Sequence, residues 1–303
     1  MSVLKVENLS KTYGRIKALQ DVSFNVPKGT VFGILGPNGS GKTTLLGIVM
    51  DVLRSTSGKY LWNDEAGSDK QRKQMGTLLE TPNFYHYLSG ETNLKIAAEI
   101  KGRGKENIDA ALKTVNLYER RKSKFNSYSL GMKQRLAIAS TLLGDPDVLV
   151  FDEPTNGLDP AGIAEIRELI QKLNKQGKTI IMASHILDEV ERVCTHVAII
   201  QKGILKTVGS VDEVLAVNGA NKIIIEISSE DNAQLKNALA QLSGVQKITE
   251  DESDLIITCD DTLSAAKVNQ FCFTKGIILN RINVKRVSLE SRFLEITGTQ
   301  SDR

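Results

Sequence analysis

An unbroken apolar run leads directly into a glycine-rich loop in the stretch Val31-Phe32-Gly33-Ile34-Leu35-Gly36-Pro37-Asn38-Gly39-Ser40-Gly41-Lys42-Thr43. The apolar run predicts a strand that is buried on both faces. The eight residues after it fit G-x-x-x-x-G-K-[ST], the loop that binds phosphates between a strand and a helix. Its glycines let backbone N–H groups turn toward a polyphosphate, and the helix N-terminus favours negative charge. We therefore expect Lys42 to reach the β and γ phosphates of a nucleotide and Thr43 to offer its hydroxyl to Mg²⁺.

Similar apolar runs recur along the chain at residues 148–151, 179–183 and 197–200, with helical patterns between them. This alternation is typical of a parallel sheet with crossover helices. Near the N-terminus, Val22 to Val26 alternates apolar and polar residues, which predicts half-exposed antiparallel strands. From about residue 83 to 144 the pattern is helical, with segments at 92–101, 108–115 and 131–143. The sequence thus predicts an α/β core that carries an inserted helical subdomain.

The pattern changes again after about residue 216. A strand at 222–227 is followed by a helix with Leu235, Ala238, Leu239 and Leu242 on one face, and then by two strands that flank 250–253. Another helix and strand follow, close to a β-α-β-β-α-β order. We predict a first domain at 1–217 and a small α+β domain at 218–303, joined at Val217 to Ala220.

The composition is that of an ordinary globular chain. Its 303 residues are enough for two domains. The 39 basic and 36 acidic residues give a net charge of +3 and are interleaved along the chain. This charge distribution does not call for a nucleic acid partner. No apolar run approaches the roughly 18 residues that cross a bilayer, and the first residues lack a signal peptide's apolar core. We expect a cytoplasmic protein. The three cysteines, Cys194, Cys259 and Cys272, are widely spaced, which favours buried free thiols over zinc or disulfides.

Two carboxylates follow the apolar run at 148–151, namely Asp152 and Glu153. They are expected at the C-terminal edge of the sheet, where α/β proteins bind ligands. In phosphoryl transfer the protein mainly positions groups and balances charge. We therefore expect Asp152 to hold Mg²⁺ and Glu153 to orient and polarise the attacking water.

A third motif narrows the class of nucleotide-binding protein. It lies shortly before Asp152 and reads Tyr128-Ser129-Leu130-Gly131-Met132-Lys133-Gln134-Arg135. This stretch resembles the Leu-Ser-Gly-Gly-Gln signature of the ATP-binding-cassette (ABC) ATPases, with Leu130 in place of the first glycine of the pair and Met132 in place of the glutamine. The resemblance implies that Ser129, Gly131 and Met132 contact the γ-phosphate bound by an opposite subunit. Ser129 also suits the N-cap of the helix that follows.

Other elements of the ABC family follow in the family's order: Tyr13 in Lys11-Thr12-Tyr13-Gly14, then Asp159 in Asn156-Gly157-Leu158-Asp159, then His185 in Ala183-Ser184-His185. The resemblance implies that Tyr13 stacks on adenine, that Asp159 belongs to a loop at the dimer interface, and that His185 contacts the γ-phosphate. It also implies ATP and Mg²⁺ as cofactors. The expected catalytic residues are Lys42, Glu153 and His185. The expected ATP-binding residues are Tyr13, Gly36, Pro37, Asn38, Gly39, Ser40, Gly41, Lys42, Thr43 and Thr44.

One position departs from the family. Glu80 stands where the family has a glutamine that reaches Mg²⁺ and the attacking water, and the aromatic run Phe84-Tyr85-His86-Tyr87 follows it. In this the chain resembles the exporter ATPases of the bacitracin and lantibiotic type, and its tail from Ser288 to Glu295 resembles their appended domain. We assign Thr43, Asp152 and Glu80 as the expected metal ligands. The aromatic run is either a docking surface for a permease or core packing of the helical subdomain.

Three functions compete for these motifs. A soluble ABC ATPase of translation or DNA repair is the alternative to a transporter ATPase, although such proteins usually carry two cassettes or a long coiled coil, and this chain has one cassette without sustained heptads. A phosphate-loop kinase is the third candidate, but kinases do not need a signature helix. We predict an ATPase that dimerises around two ATP molecules. A homodimer is favoured over a heterodimer with a related cassette. It is expected to drive a separate membrane permease, in the export direction, from the inner face of the membrane.

Overall fold

The computed structural model describes residues 1–79, 83–216, 223–251, 254–260, 263–286 and 288–298. The chain divides into two compact units, Met1–Ser210 and Val211–Arg303. The predicted joint at Val217 to Ala220 lies outside the described residues, and the domain boundary at 217/218 stays a prediction.

Two sheets make up the frame of the first unit. Their strands are β1 (Ser2–Tyr13), β2 (Ile16–Pro27), β3 (Val31–Leu35), β4 (Ser57–Trp62), β5 (Glu65–Ala66), β6 (Gly76–Leu78), β7 (Val148–Asp152), β8 (Thr179–Ser184), β9 (His196–Gln201) and β10 (Ile204–Ser210). The first sheet has the order β2-β1-β4-β5 and is antiparallel. The second has the order β10-β9-β3-β8-β7-β6 and is parallel except for β10. Non-sequential neighbours in the second sheet require the crossovers expected from the sequence.

Helices fill the crossovers and one long insertion. They are α1 (Lys42–Val49), α2 (Asp69–Lys73), α3 (Gly90–Lys101), α4 (Ile108–Thr114), α5 (Leu130–Thr141), α6 (Pro160–Lys175) and α7 (Leu187–Val193). The three helices α3, α4 and α5, with short 3₁₀ turns, occupy the chain between β6 and β7. The described residues of this insertion contain one isolated bridge, between Ser89 and Lys124, and no strand.

The core of the first unit lies between its two sheets and α1. Along β2, Val22, Phe24 and Val26 are buried while the residues between them are exposed, as the alternating pattern predicts. Phe24 stacks on Phe32 of β3 with ring centroids 5.4 Å apart. The burial of all five residues of β3 explains why its sequence is apolar without interruption. This packing holds the C-terminal end of β3, and the loop after it, in place.

The second unit has an antiparallel sheet with helices. Its elements are α8 (Val211–Leu215), β11 (Ile223–Ser229), α9 (Asn232–Leu239), β12 (Val245–Asp251), β13 (Asp254–Cys259), α10 (Ala265–Thr274), β14 (Leu279–Arg286) and α11 (Leu289–Thr297). From β11 to β14 the order is β-α-β-β-α-β, as the sequence predicts, with strands in the order β12-β13-β11-β14. Leu235 and Leu239 of α9 are buried in its core. No helix in the described ranges is both long enough and apolar enough to cross a membrane.

Candidate functional site

The loop between β3 and α1 has a backbone that only glycine permits at two positions. A Cβ at Gly36 would lie 2.1 Å from the carbonyl oxygen of Ile200, which is backbone and cannot move aside. Gly41 has a φ of 110°, a region that L side chains rarely adopt, and directly precedes the first residue of α1. The loop therefore wraps closely over β9 before the chain enters the helix, and the N-terminus of α1 points at the space that the loop encloses.

Lys42 is buried at the bottom of this loop. Its side chain is 5% exposed, and its ammonium group donates to the carbonyl oxygens of Gly36 at 2.9 Å and Pro37 at 3.3 Å. The same ammonium lies 3.4 Å from Oε1 of Glu153. A lysine offers three donors and no acceptor, so these three oxygens account for its hydrogen-bonding capacity. The loop thus holds one cation at its centre, beside a carboxylate from another strand.

Glu153 turns out of β7 through an uncommon backbone conformation. Its φ is 48°, in the left-handed region that non-glycine residues rarely enter outside strained or functional positions. Its N–H still donates to the carbonyl oxygen of Ala183 on β8, at 3.0 Å. Its other carboxylate oxygen, Oε2, lies 2.8 Å from Nδ1 of His185. The carboxylate therefore bridges Lys42 and His185, and the predicted catalytic residues Lys42, Glu153 and His185 form one cluster.

An open cleft of ≈ 470 Å³ lies over this cluster. Seven of the predicted site residues line it, and they are Asn38, Gly39, Gly41, Lys42, Thr43, Thr44 and Glu153. Four others that were not singled out from the sequence also line it, and they are Ile16, Lys17, Ala18 and Lys202. Lys17 and Lys202 add positive charge, which suits a polyphosphate. Neither lysine belongs to a recognisable motif. Lys17 is on β2 and Lys202 is in the turn after β9, and these two elements are joined by a hydrogen bond from the N–H of Gln20 to the carbonyl oxygen of Gly203 at 2.8 Å.

Asp152 is the last residue of β7 and is buried, with 6% of its surface exposed. It directly precedes Glu153, so both predicted carboxylates lie at the C-terminal edge of the parallel sheet, beside β8. Ser40 of the loop is also buried, and its hydroxyl has no hydrogen-bond partner within the described residues. Buried polar groups are usually hydrogen-bonded, so such a hydroxyl in a loop is a feature typical of a ligand site.

The predicted signature and interface residues are not among those that line this cleft. Ser129 is the N-cap of α5 and accepts from the N–H of Met132 at 3.3 Å, while a Cβ at Gly131 would meet open space. Asp159 is the N-cap of α6 and accepts from the N–H of Gly162 at 3.0 Å. Tyr13 ends β1 and is 44% exposed. One copy of the chain therefore brings the phosphate loop, Glu153 and His185 together but leaves the signature apart.

The region after β6 is described in part. Glu80 lies outside the described residues, so its place at the site stays a prediction. Beyond it, Phe84 packs edge-on against Phe125 with centroids 5.3 Å apart. In contrast, Tyr85 and Tyr87 are 51% and 67% exposed. The aromatic run is thus divided between packing inside the helical insertion and an exposed surface.

The three cysteines are buried and free, as predicted. Burial raises the pKa of the Cys259 thiol to about 11, and it raises the pKa of Cys194 and Cys272 too. Thiols are nucleophiles only as thiolates, so none of these groups is reactive near neutral pH.

The phosphate loop, the paired carboxylates and the signature all lie within the stretch of the chain that a family model matches. That model, described as ABC transporter, matches residues 19–156. The chain is 38% identical over 306 residues to an uncharacterized ABC transporter ATP-binding protein, YhcH of Bacillus subtilis, covering 98% of this chain and 96% of the relative. The chain belongs to the ATP-binding proteins of ABC transporters. Members of this family hydrolyse ATP, so the chain is an ATPase, and the predicted α/β cassette fold is confirmed.

Similarity to two further ABC proteins supports the predicted subfamily. The bacitracin transport ATP-binding protein BcrA of Enterococcus faecalis is 33% identical over 301 residues, which cover 98% of this chain and 96% of BcrA. The lantibiotic transport ATP-binding protein SrtF of Streptococcus pyogenes is 40% identical over 201 residues, which cover 66% of this chain and 88% of SrtF. The resemblance to the bacitracin and lantibiotic type is confirmed. The alternatives of a translation or repair ATPase and of a kinase are not favoured.

Solved ABC cassettes share the fold. The structure of cbiO1 from Clostridium perfringens, part of the ABC transporter complex cbiONQ, has a TM-score of 0.65 at 29% identity and covers 80% of this chain and 96% of its own. A dimeric post-hydrolysis state of the cassette MJ0796, bound to ADP and Pi, has a TM-score of 0.61 at 27% identity and covers 69% of this chain and 98% of its own. Both likenesses are to ATP-binding cassettes.

Proposed function

We propose that this ABC protein hydrolyses Mg²⁺-bound ATP in the cleft around Lys42, as one half of a head-to-tail homodimer that drives a membrane permease. The observation that carries the proposal is the position of the Glu153 carboxylate between Lys42 and His185, at 3.4 and 2.8 Å. In this proposal Glu153 orients and polarises the attacking water, because catalysis of phosphoryl transfer rests on positioning and charge balance. Lys42 faces the β and γ phosphates, and His185 contacts the γ-phosphate.

The cleft has the chemistry that a nucleoside triphosphate requires. Lys17, Lys42 and Lys202 line it, and three cations offset much of the charge of a triphosphate. Glycines at 36 and 41 let the loop pack directly on the protein backbone, because a Cβ at these positions would clash with the carbonyl oxygens of Ile200 and Ala18. Phosphate oxygens would accept the hydrogen bonds that Lys42 now gives to the oxygens of Gly36 and Pro37. Tyr13, at the end of β1, would stack on the adenine.

Oxygen donors fit a magnesium ion at the same site. We assign the hydroxyl of Thr43 and the carboxylate of Asp152 as ligands, since Mg²⁺ prefers oxygen and completes its shell with phosphates and water. Thr43 lines the cleft and Asp152 is the last residue of β7. Glu80 is the third proposed ligand on sequence grounds. The ion would neutralise charge that develops on the phosphate oxygens.

We propose a dimer because the cleft of one copy lacks the signature residues. The signature residues Ser129, Gly131 and Met132 begin α5 and do not line the cleft of their own chain. A second copy related by a twofold axis would supply them to both sites at once. Asp159 would lie at the interface. The likeness to the MJ0796 cassette, solved as a dimer with ADP and Pi, supports this arrangement.

The work of the dimer is proposed to be export through a separately encoded permease at the inner face of the membrane. The relatives named for bacitracin and lantibiotic transport support a transporter of this type. A surface suited to the permease is an apolar groove of ≈ 360 Å³ that includes Tyr85, Ile96 and Ile100. Tyr87 lies beside Tyr85, with ring centroids 6.1 Å apart. The permease selects the cargo. For the second unit we propose a regulatory or dimer-supporting role.

The test of this function is co-purification with a defined partner. The tagged permease encoded beside this chain should retain it in detergent, and ATP hydrolysis by the complex should require Glu153. A permease that is stable without the chain, with the chain instead sedimenting with ribosomes or DNA, would overturn the proposal in favour of a soluble cassette ATPase.

A further inference from the structure

A buried polar pair lies immediately behind the proposed catalytic cluster. The hydroxyl of Thr155 donates a hydrogen bond to Oε2 of Glu189, and each of these residues is only 4% exposed. The second carboxyl oxygen of Glu189, Oε1, is buried without a hydrogen-bond partner among the described residues. A buried carboxyl group is costly unless its bonds are satisfied, so most of what compensates for burying Glu189 comes from Thr155.

Thr155 belongs to the link between the end of β7 and the start of α6. Glu153 leaves the strand at the beginning of this link, and Asp159 caps α6 at its end. Inside the link, the N–H of Asn156 donates to the oxygen of Glu153 at 3.1 Å and that of Leu158 donates to the oxygen of Thr155 at 3.2 Å. The link is therefore a compact turn, and a shift of Thr155 would be transmitted to residues on both sides.

Glu189 lies on α7, four residues beyond His185. His185 and Glu189 belong to one short segment, which runs from the residues just before α7 into the first turn of that helix. Two side-chain contacts consequently run between the same two segments, one from Glu153 to His185 and the other from Thr155 to Glu189. The outer contact faces the cleft, while the inner one is buried.

Apolar packing also holds α7 on the sheet. A Cβ at Gly33 of β3 would lie 2.7 Å from Cγ1 of Val190 and 2.9 Å from Sγ of Cys194. The helix thus sits directly on the strand, with Val190 fully buried. Because apolar packing holds α7 on the strand, Glu189 can act as the anchor of the pair, and the link that carries Thr155 is the segment that it positions.

We propose that Glu189 is a positioning residue for ATP hydrolysis: through Thr155 it sets the link from Glu153 to Asp159, and with it the place of the Glu153 carboxylate beside His185. The inference rests on the proposed role of Glu153. Loss of the contact between Thr155 and Glu189 lets the link change its conformation. The Glu153 carboxylate is then misplaced relative to the attacking water. The phosphate loop is not part of the link, so nucleotide binding is retained.

The experiment compares Thr155→Val, which is isosteric but lacks the hydroxyl, with Thr155→Ser, which keeps it. We expect Thr155→Val to lower kcat roughly ten- to a hundredfold, the range expected when a reacting group is misplaced. KM for ATP should stay within about twofold, because the phosphate loop is unchanged, and Thr155→Ser should restore kcat. The matched control is Thr30→Val, which removes a hydroxyl bond to the oxygen of Pro27 before the other end of β3 and should leave kcat unchanged.

The double variant Thr155→Val with Glu189→Leu separates positioning from stability. Replacing both partners by apolar groups removes the unpaired carboxyl, so the melting temperature should recover relative to Thr155→Val. We expect kcat to remain low. Recovery of kcat together with the melting temperature, or a Thr155→Val variant with normal kcat, would overturn the inference. Glu153→Gln is the separate arm: normal hydrolysis in that variant overturns the proposed role of Glu153, whereas its loss beside a fully active Thr155→Val overturns only the role of Glu189.

Discussion

Nδ1 of His185 lies 2.8 Å from Oε2 of Glu153, at the ends of two neighbouring parallel strands. The other oxygen of the same carboxylate is 3.4 Å from the ammonium of Lys42. Both oxygens of Glu153 therefore have polar neighbours on different elements, which holds the carboxylate in one orientation at the mouth of the phosphate loop. Changes at these residues separate the binding of ATP from its hydrolysis.

Glu153→Gln should stall hydrolysis and trap a dimer. The amide keeps the size of the side chain but loses the charge that polarises water, so the rate should fall roughly 10²- to 10⁴-fold, the contribution typical of a positioned base. ATP would remain between two subunits, and sedimentation in ATP and Mg²⁺ should detect an ATP-bound dimer. Glu168→Gln, at an exposed position on α6, is the control and should behave as wild type. A variant saturated with ATP that stays monomeric, also with the permease in detergent, would contradict the mechanism.

Lys42→Ala should abolish nearly all ATP hydrolysis and weaken nucleotide binding. It removes a buried cation from the phosphate loop together with its bonds to the oxygens of Gly36 and Pro37. Loss of one charged group that faces the transition state costs roughly 10²- to 10³-fold in rate. Phosphate release and binding of a fluorescent ATP analogue measure the two effects. Lys28→Ala, exposed in the turn before β3, is the matched control. Near-normal turnover without Lys42 would remove the basis for the phosphate-loop assignment.

Glu80→Gln should keep the ATPase active but shift its magnesium dependence. The glutamine side chain is as long as that of Glu80 but lacks its negative charge near the ion. The Mg²⁺ concentration at half-maximal rate should therefore rise. The measurement is a Mg²⁺ titration of hydrolysis at fixed ATP. Glu106→Gln, in the exposed turn before α4, controls for a general loss of acidic charge. An unchanged titration would place Glu80 outside the metal site.

Tyr85→Ala with Tyr87→Ala should uncouple the ATPase from its permease. Both rings are more than half exposed and neither is needed for the core, so basal hydrolysis and melting temperature should change little. Permease binding should weaken, since exposed aromatic side chains contribute strongly to protein interfaces. Val52→Ala, a change at another exposed apolar position, is the control. Normal permease binding and transport in the double variant would assign these rings no docking role.

A cassette that ends at Ser210 should still bind ATP. The residues that line the nucleotide cleft all lie within the first compact unit. The truncation therefore removes the second unit without removing a ligand of the nucleotide, and the dissociation constant for ATP should stay within a few-fold of that of the full chain. Equilibrium binding checks this. Loss of binding in a truncated protein that is folded by circular dichroism would contradict an independent nucleotide-binding unit.

Strands and helices followed closely from local patterns, while their ends depended on side-chain caps. The apolar run at 31–35 is β3 residue for residue, because a strand buried on both faces tolerates no polar side chain. The helix predicted from 92 begins at Gly90 instead, since the hydroxyl of Ser89 caps it by accepting from the N–H of Thr92. The helix predicted to reach 143 ends at Thr141. Such one- or two-residue differences arise where capping competes with periodicity.

The sequence by itself determined the class of site: a phosphate loop after a buried strand, two carboxylates after another, and a signature between them. These are local features, each a short motif with its own strand or helix. Tertiary structure alone decided which groups meet. Glu153 lies 32 residues from His185, and their contact depends on the pairing of β7 with β8 and on the left-handed backbone at Glu153. Lys17 and Lys202 in the cleft, and Thr155 against Glu189, likewise carry no motif, because packing between distant elements, and not the pattern of either, brings them together.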